Sequence, residues 1–300
     1  MSVAVLVGTC SWTDPTLLAC GRFYPPGAKT AEARLRYYAS QFSLVEVDSS
    51  YYSLPQERTA RLWASRTPAG FRFDVKAFRL FTHHPTPQEA LPTDVREELP
   101  AELRQKENLY LREMPRELVE ELWRRFEAAL QPLGEAGKLG AVVFQFPPWF
   151  RPGRDSAAYL ASLGEKVRFR AAVEFRNGAW LGGERRRETV SLLRGSNLAY
   201  VCVDEPQGFT SSVPPAVEVT REDLAVVRFH GRNRETWEKK GITAAERFDY
   251  LYSEEELKEW VPRVRELAGS ARKVHVLFNN CHQDKAVVNA RQMLALLGLV

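Results

Sequence analysis

The stretch AVVRFHGR (225–232) alternates, with Val227 and Phe229 apolar and Arg228, His230 and Arg232 polar between them. A period of two belongs to a β-strand, whose successive side chains leave opposite faces. Seven more runs share this pattern: VAVLVGTCSW (3–12), SLVEVDSS (43–50), FRFDVKAF (71–78), LGAVVFQF (139–146), RAAVEFR (170–176), NLAYVCVD (197–204) and KVHVLFNN (273–280). Sorted by parity, one set is uniformly apolar, for example Val45, Val47, Phe73, Val75, Phe144, Val173, Val201, Val203, Phe229 and Val276. The other set carries Glu46, Asp48, Asp74, Lys76, Gln145, Glu174, Arg176, Cys202, Asp204, Arg228, His230, Arg232, His275 and Asn279. In a closed parallel barrel the apolar set packs outward under helices and the polar set points inward.

Helical periodicity fills the intervals at 30–42, 56–66, 115–130, 154–164, 183–194, 253–268 and 284–297, whereas 205–224 is Pro-rich and offers no clear helix. Eight strand–connection units in 300 residues predict a single α/β domain over 1–300, a (β/α)8 TIM-like barrel. A doubly wound open sheet is the alternative. It lacks support from any G-x-G-x-x-G turn or G-x-x-x-x-G-K-[ST] loop. The polar, Pro-punctuated segment 79–114 after the third strand reads as a lid-like insertion over the carboxyl-terminal face, with helical turns.

Composition narrows the function classes. The chain is 44% hydrophobic and 27% charged, as in ordinary globular proteins. It shows neither an apolar run of membrane-spanning length nor a secretory leader, so the expected location is cytoplasmic and no membrane partner is expected. Four scattered cysteines, Cys10, Cys20, Cys202 and Cys281, form no C-x-x-C pair, which fits a reducing compartment and argues against a Cys-ligated metal. A formal charge of +4 suits anionic small molecules and falls short of a dedicated nucleic-acid binder.

The ordered fragments GTCSW (8–12), FYPPG (23–27), YYASQFSLVEVDSSYYSLP (37–55), TPAGFRFDVKAF (67–78), FQFPP (144–148), VEFRNGAW (173–180), RFHGRN (228–233) and FNNCHQDKAVVNA (278–290) resemble the YecE-like family, domain-of-unknown-function family 72. The resemblance runs nearly end to end. It implies a TIM-like barrel and carries no established reaction. Its motifs match at Glu46, Ser49, Tyr52, Lys76, Gln145, Glu174, Arg176, Arg228, His230, Gly231, Asn233, Asn279, Asn280 and Asn289. Asp48 stands where many relatives carry asparagine, which favours Glu46 as the acting carboxylate.

Barrel enzymes take catalytic groups from the carboxyl ends of several strands. Glu46 and Glu174, from strands nearly opposite each other, are the expected acid/base pair, with Lys76 as a third catalytic candidate for charge pairing or a Schiff base. A structural ion-pair network is the competing reading of the same residues. Expected substrate-binding residues are Trp12, Asp48, Tyr52, Gln145, Arg176, Asp204, Arg228, His230, Arg232, Asn233, Asn279 and Asn280, with Arg176, Arg228 and Arg232 as guanidinium donors to an anion. His83, His84, His230, His275 and His282 show no zinc-site spacing, so no metal residue is assigned and no cofactor is required. A divalent ion on Glu46, Asp48, Glu174 and Asp204 stays open. The expected function is a hydrolase or isomerase acting on a polar, anionic or sugar-containing small molecule. The alternatives are a nucleic-acid-processing barrel of the abasic-site endonuclease kind and a non-catalytic binding protein.

Overall fold

A computed structural model of the protein describes residues 4–299. Eight parallel strands close a barrel in chain order: β1 (Ala4–Cys10), β2 (Leu44–Val47), β3 (Arg72–Lys76), β4 (Leu139–Gln145), β5 (Ala171–Glu174), β6 (Ala199–Asp204), β7 (Ala225–Phe229) and β8 (Lys273–Phe278). Around it lie α1 (Ala31–Gln41), α2 (Glu57–Ser65), α3 (Arg116–Glu135), α4 (Arg154–Lys166), α5 (Arg185–Gly195), α6 (Glu254–Ser270) and α7 (Lys285–Leu297). The Pro-rich stretch 205–224 is without a helix. Helix starts follow local chemistry. Ser253 caps α6 in a capping box with Glu256, satisfying otherwise orphaned backbone N–H groups.

Parallel partners share a face, so the ladder tests the parity assignment. Glu46 pairs with Asp74, Gln145 with Glu174, and Leu277 with Arg228, all inward. On β6 the phase is opposite to the sequence expectation. Val203 pairs with inward Arg228 and Val201 with Val226, so Ala199, Val201 and Val203 line the barrel while Cys202 and Asp204 face the helices. Every residue of β6 is buried, and the apolar ones fit either side, so alternation alone leaves the phase unset.

Midway down the barrel, His275 Nδ1 lies 2.9 Å from Asp74 Oδ2, both buried. Gly140 makes room for them: a Cβ there would sit 2.3 Å from Asp74 Oδ1 and 2.8 Å from His275 Cε1.

The 79–114 segment consists of short turns, including Thr93–Glu97 and Ala101–Arg104, and a two-residue ribbon pairing Thr86 with Leu109. Its Leu91, Val95, Leu99 and Leu103 are buried, and Asp94 bonds to Arg125 of α3 at 2.9 Å. His84 reaches the carboxyl-terminal mouth.

Candidate active site at the carboxyl-terminal mouth

Barrel closure brings the ends of β2, β5 and β7 to one axis. Arg228 of β7 is fully buried there and donates from Nη2 to Glu46 Oε1 at 2.6 Å and from Nη1 to Glu174 Oε2. Glu46 and Glu174 therefore do not face each other across open space, as the acid/base pair requires; a guanidinium fills the gap. The same cation occupies the place a divalent ion bridging these carboxylates would need. Asp204, the fourth proposed metal ligand, lies on the other side of the barrel wall.

Glu174 is saturated. Arg176 Nε donates to its Oε1 at 2.6 Å, Gln145 Nε2 at 2.7 Å and His230 Nε2 at 3.1 Å. Burial opposes its ionisation, but Arg228, Arg176 and His230 outweigh that and hold its pKa well below the usual carboxylate range. Burial pushes His230 down to about 3, assisted by Arg176, so the ring is neutral. Asn279 Nδ2 donates to its Nδ1 at 2.9 Å, which directs the Nε2 proton toward Glu174.

Glu46 has one oxygen on Arg228, while its buried Oε2 has no partner. Burial raises its pKa, only partly offset by Arg228 and Lys76. Glu205, one residue past β6, supplies a third buried carboxylate. It accepts from Arg176 Nη1 at 3.0 Å and from the Val213 N–H at 2.7 Å, yet burial still pushes it up to about 8. Three buried carboxylates thus share two guanidiniums. Charge balance in a low-dielectric interior favours one retained proton, consistent with the raised Glu46 and Glu205.

Above this cluster the mouth opens into a cavity of about 440 Å3, walled in part by Ser11, Asp48, Tyr51, Tyr52, Lys76, Gln145 and Asn279. Lys76 Nζ is 2.9 Å from Asp48 Oδ1 and 4.6 Å from the Tyr51 ring centre. Burial works to lower the Lys76 pKa, but Asp48 and Glu46 outweigh it and raise the value, so this lysine stays charged and is unsuited to Schiff-base formation. A smaller adjoining recess of about 250 Å3 shares Gln145 and adds His84, Arg176 and Trp237. Arg176 lies over the Trp237 ring, 5.1 Å from its centre.

Five expected site residues lie elsewhere. Trp12 is buried against Trp63 of α2 and Phe73, because Ser11 takes φ 108° and turns the chain to the outer layer. Asp204 accepts from Tyr252 at 2.7 Å and Trp260 of α6 at 2.6 Å. Arg232 is consumed by Asp204 at 2.8 Å and Glu259 at 2.9 Å, so it is no free donor to an anion at the mouth. Asn233 donates to the Asp249 carbonyl, and buried Asn280 bonds Tyr250 and Asn289, both fixing loops. The groups that sequence parity missed are Glu205, on the true inward phase of β6, and His84, whose only signal was its insertion.

A parallel eight-stranded barrel with polar side chains gathered at its carboxyl-terminal mouth defines the class of protein. The chain belongs to the family "Protein of unknown function DUF72", whose model matches residues 6–300. It is 33% identical over 300 residues to UPF0759 protein YunF of Bacillus subtilis (strain 168), covering 98% of this chain and 95% of that protein. A DUF72 family protein of Thermotoga maritima MSB8 is 32% identical with a TM-score of 0.76, covering 98% of this chain and 99% of the other. One from Enterococcus faecalis V583 is 26% identical with a TM-score of 0.75 and covers 99% of both.

Proposed function

We propose that the mouth binds a small, oxygen-rich anionic molecule, of the sugar phosphate or hydroxy acid kind, and catalyses a hydrolysis or isomerisation by proton transfer. The observation that carries this reading is the Lys76–Asp48 pair at the wall of the cavity, backed by a sealed ion cluster. Lys76 supplies a fixed positive charge for an anionic group or a developing oxyanion. Asp48, paired to it at the cavity wall, is the carboxylate that this chain offers a bound molecule where many relatives carry asparagine, so its proton-transfer role is proposed for this chain and not for the family. Tyr51 and Tyr52 offer ring faces to a sugar, while Gln145 and Asn279 offer amides. In this arrangement Glu174, Arg228 and His230 are positioning residues, and Glu46 acts behind Lys76.

The test is incubation of the protein with a panel of sugar phosphates and hydroxy acids in D2O, followed by proton NMR, and in H2-18O, followed by mass spectrometry. Deuterium entering a C–H position, or 18O entering the product, is the expected result, and Asp48→Asn should slow it by roughly 100-fold or more. Turnover unchanged in both Asp48→Asn and Lys76→Met overturns the reading, as does a panel in which nothing binds or reacts.

A further inference from the structure

The opposite pole of the barrel holds a larger cavity, about 600 Å3, whose wall includes Arg72, Arg168, Arg170, Arg221, Lys273 and Asp223. The parity that aims Lys76 at the mouth aims residues near the strand starts at this floor. Arg72 lies two residues below Asp74, Lys273 two below His275, and Arg170 two below Ala172, all on the inward phase. Among the described residues Asp223 is the only carboxylate in this wall, and it is already engaged, by Arg170 at 2.7 Å and Arg221 at 2.8 Å. Arg168 leans toward Glu127 at 3.7 Å.

Arg72 and Lys273 are the cations of this wall that are not held by a carboxylate among the described residues. Among the described residues neither makes an ion pair; Arg72 donates to the carbonyls of Ala69 and Phe71, and the Lys273 ammonium has no hydrogen-bond partner. Burial lowers both pKa values and Arg170 lowers them further, with Arg72 adding to the repulsion at Lys273 and Asp223 opposing it only in part. Setting aside Arg168, four cations face one carboxylate around a concave space of small-molecule size. Forked guanidiniums beside an ammonium suit a tetrahedral oxyanion that takes several hydrogen bonds at once.

We propose that the amino-terminal pole of the barrel is a binding site for the phosphoryl groups of a small molecule, with Arg72, Arg170 and Lys273 as its donors. The site is separate from the mouth and does not depend on the reaction there. Phe169 in the same wall gives a nucleotide base a ring to contact, so free oxyanion and nucleotide are the two sources of this chemistry.

Isothermal titration of pyrophosphate and of ATP, at fixed ionic strength, tests this on the wild type, Lys273→Met, Arg72→Met and Lys76→Met. The expected result is saturable binding that persists in Lys76→Met and weakens at least about tenfold in Lys273→Met. Lys273→Met should keep the wild-type circular dichroism spectrum, because its ammonium holds no partner among the described residues, and so remains informative if Arg72→Met misfolds. ATP binding more tightly than pyrophosphate assigns a nucleotide; equal affinities assign the oxyanion alone, and either supports the site. Absence of saturable binding, equal affinity in wild type and Lys273→Met, or loss in Lys76→Met overturns it. The last outcome would place the anion at the mouth and leave the proposed function standing.

Discussion

The two poles of this barrel are built from the same inward face yet treat charge in opposite ways. At the mouth end, Arg228, Glu46 and Glu174 lie fully buried, and each cation is matched to carboxylates within hydrogen-bond distance. At the floor, Arg72 and Lys273 remain partly exposed, and Asp223, the carboxylate in the wall, holds two other arginines. Between them sits the Asp74–His275 pair, accommodated by Gly140. The difference follows from depth. Removing an ion from water costs several kcal/mol unless partners replace the solvent, whereas a charge at an open rim keeps its hydration and is screened. Buried charge must therefore be balanced where it stands, and only a rim can hold an excess for a ligand to neutralise.

The comparison breaks most directly at Arg228. Arg228→Met leaves Glu46 and Glu174 buried without their shared cation, and the expected loss is about 3–5 kcal/mol in urea unfolding. A loss under about 1 kcal/mol would mean the mouth cluster is as loosely held as the floor. Glu205 sharpens the comparison through pH. Its folded pKa is pushed up to about 8, above that of an unfolded glutamate, so its contribution is fully present below about pH 4.5 and is lost as pH rises toward 8. Wild type should lose stability over that window relative to Glu205→Gln, by on the order of 2–4 kcal/mol, in unfolding midpoints measured at pH 5 and pH 8. Parallel pH profiles for the two would remove Glu205 as the proton holder. The smallest effect is expected at the partition between the poles. Gly140→Ala drives a methyl group into Asp74 and His275 and should cost about 1–3 kcal/mol by thermal unfolding, with the mouth residues undisturbed.

Strand positions were legible because each barrel strand is short and bounded by turn residues. The runs 139–146 and 273–280, for example, bracket β4 and β8 to within two residues. The helices were legible for the same reason, their apolar faces repeating at helical spacing against the barrel. Alternation likewise placed Lys76, Gln145, Glu174, Arg176, Arg228, His230 and Asn279 inside, since on those strands one parity is polar and the other is not.

Where both parities were apolar, as at Ala199–Val203, the sequence held no phase information, and the polar end residue Asp204 suggested the wrong one. Hydrogen-bonded register with β7 decided it, turning Asp204 to Tyr252 and Trp260 and bringing Glu205 to Arg176. Trp12 was decided by one backbone angle at Ser11, and the fate of Arg232 by acids 24 and 27 residues further along, at Glu256 and Glu259. The sequence by itself determined the number of strands, their order and the residue types at their ends, because these follow from local periodicity. Which carboxylate meets which cation was left to the closed barrel, because that pairing joins Glu174 and Glu46 to Arg228 across 54 and 182 positions and depends on strand register that no local pattern encodes.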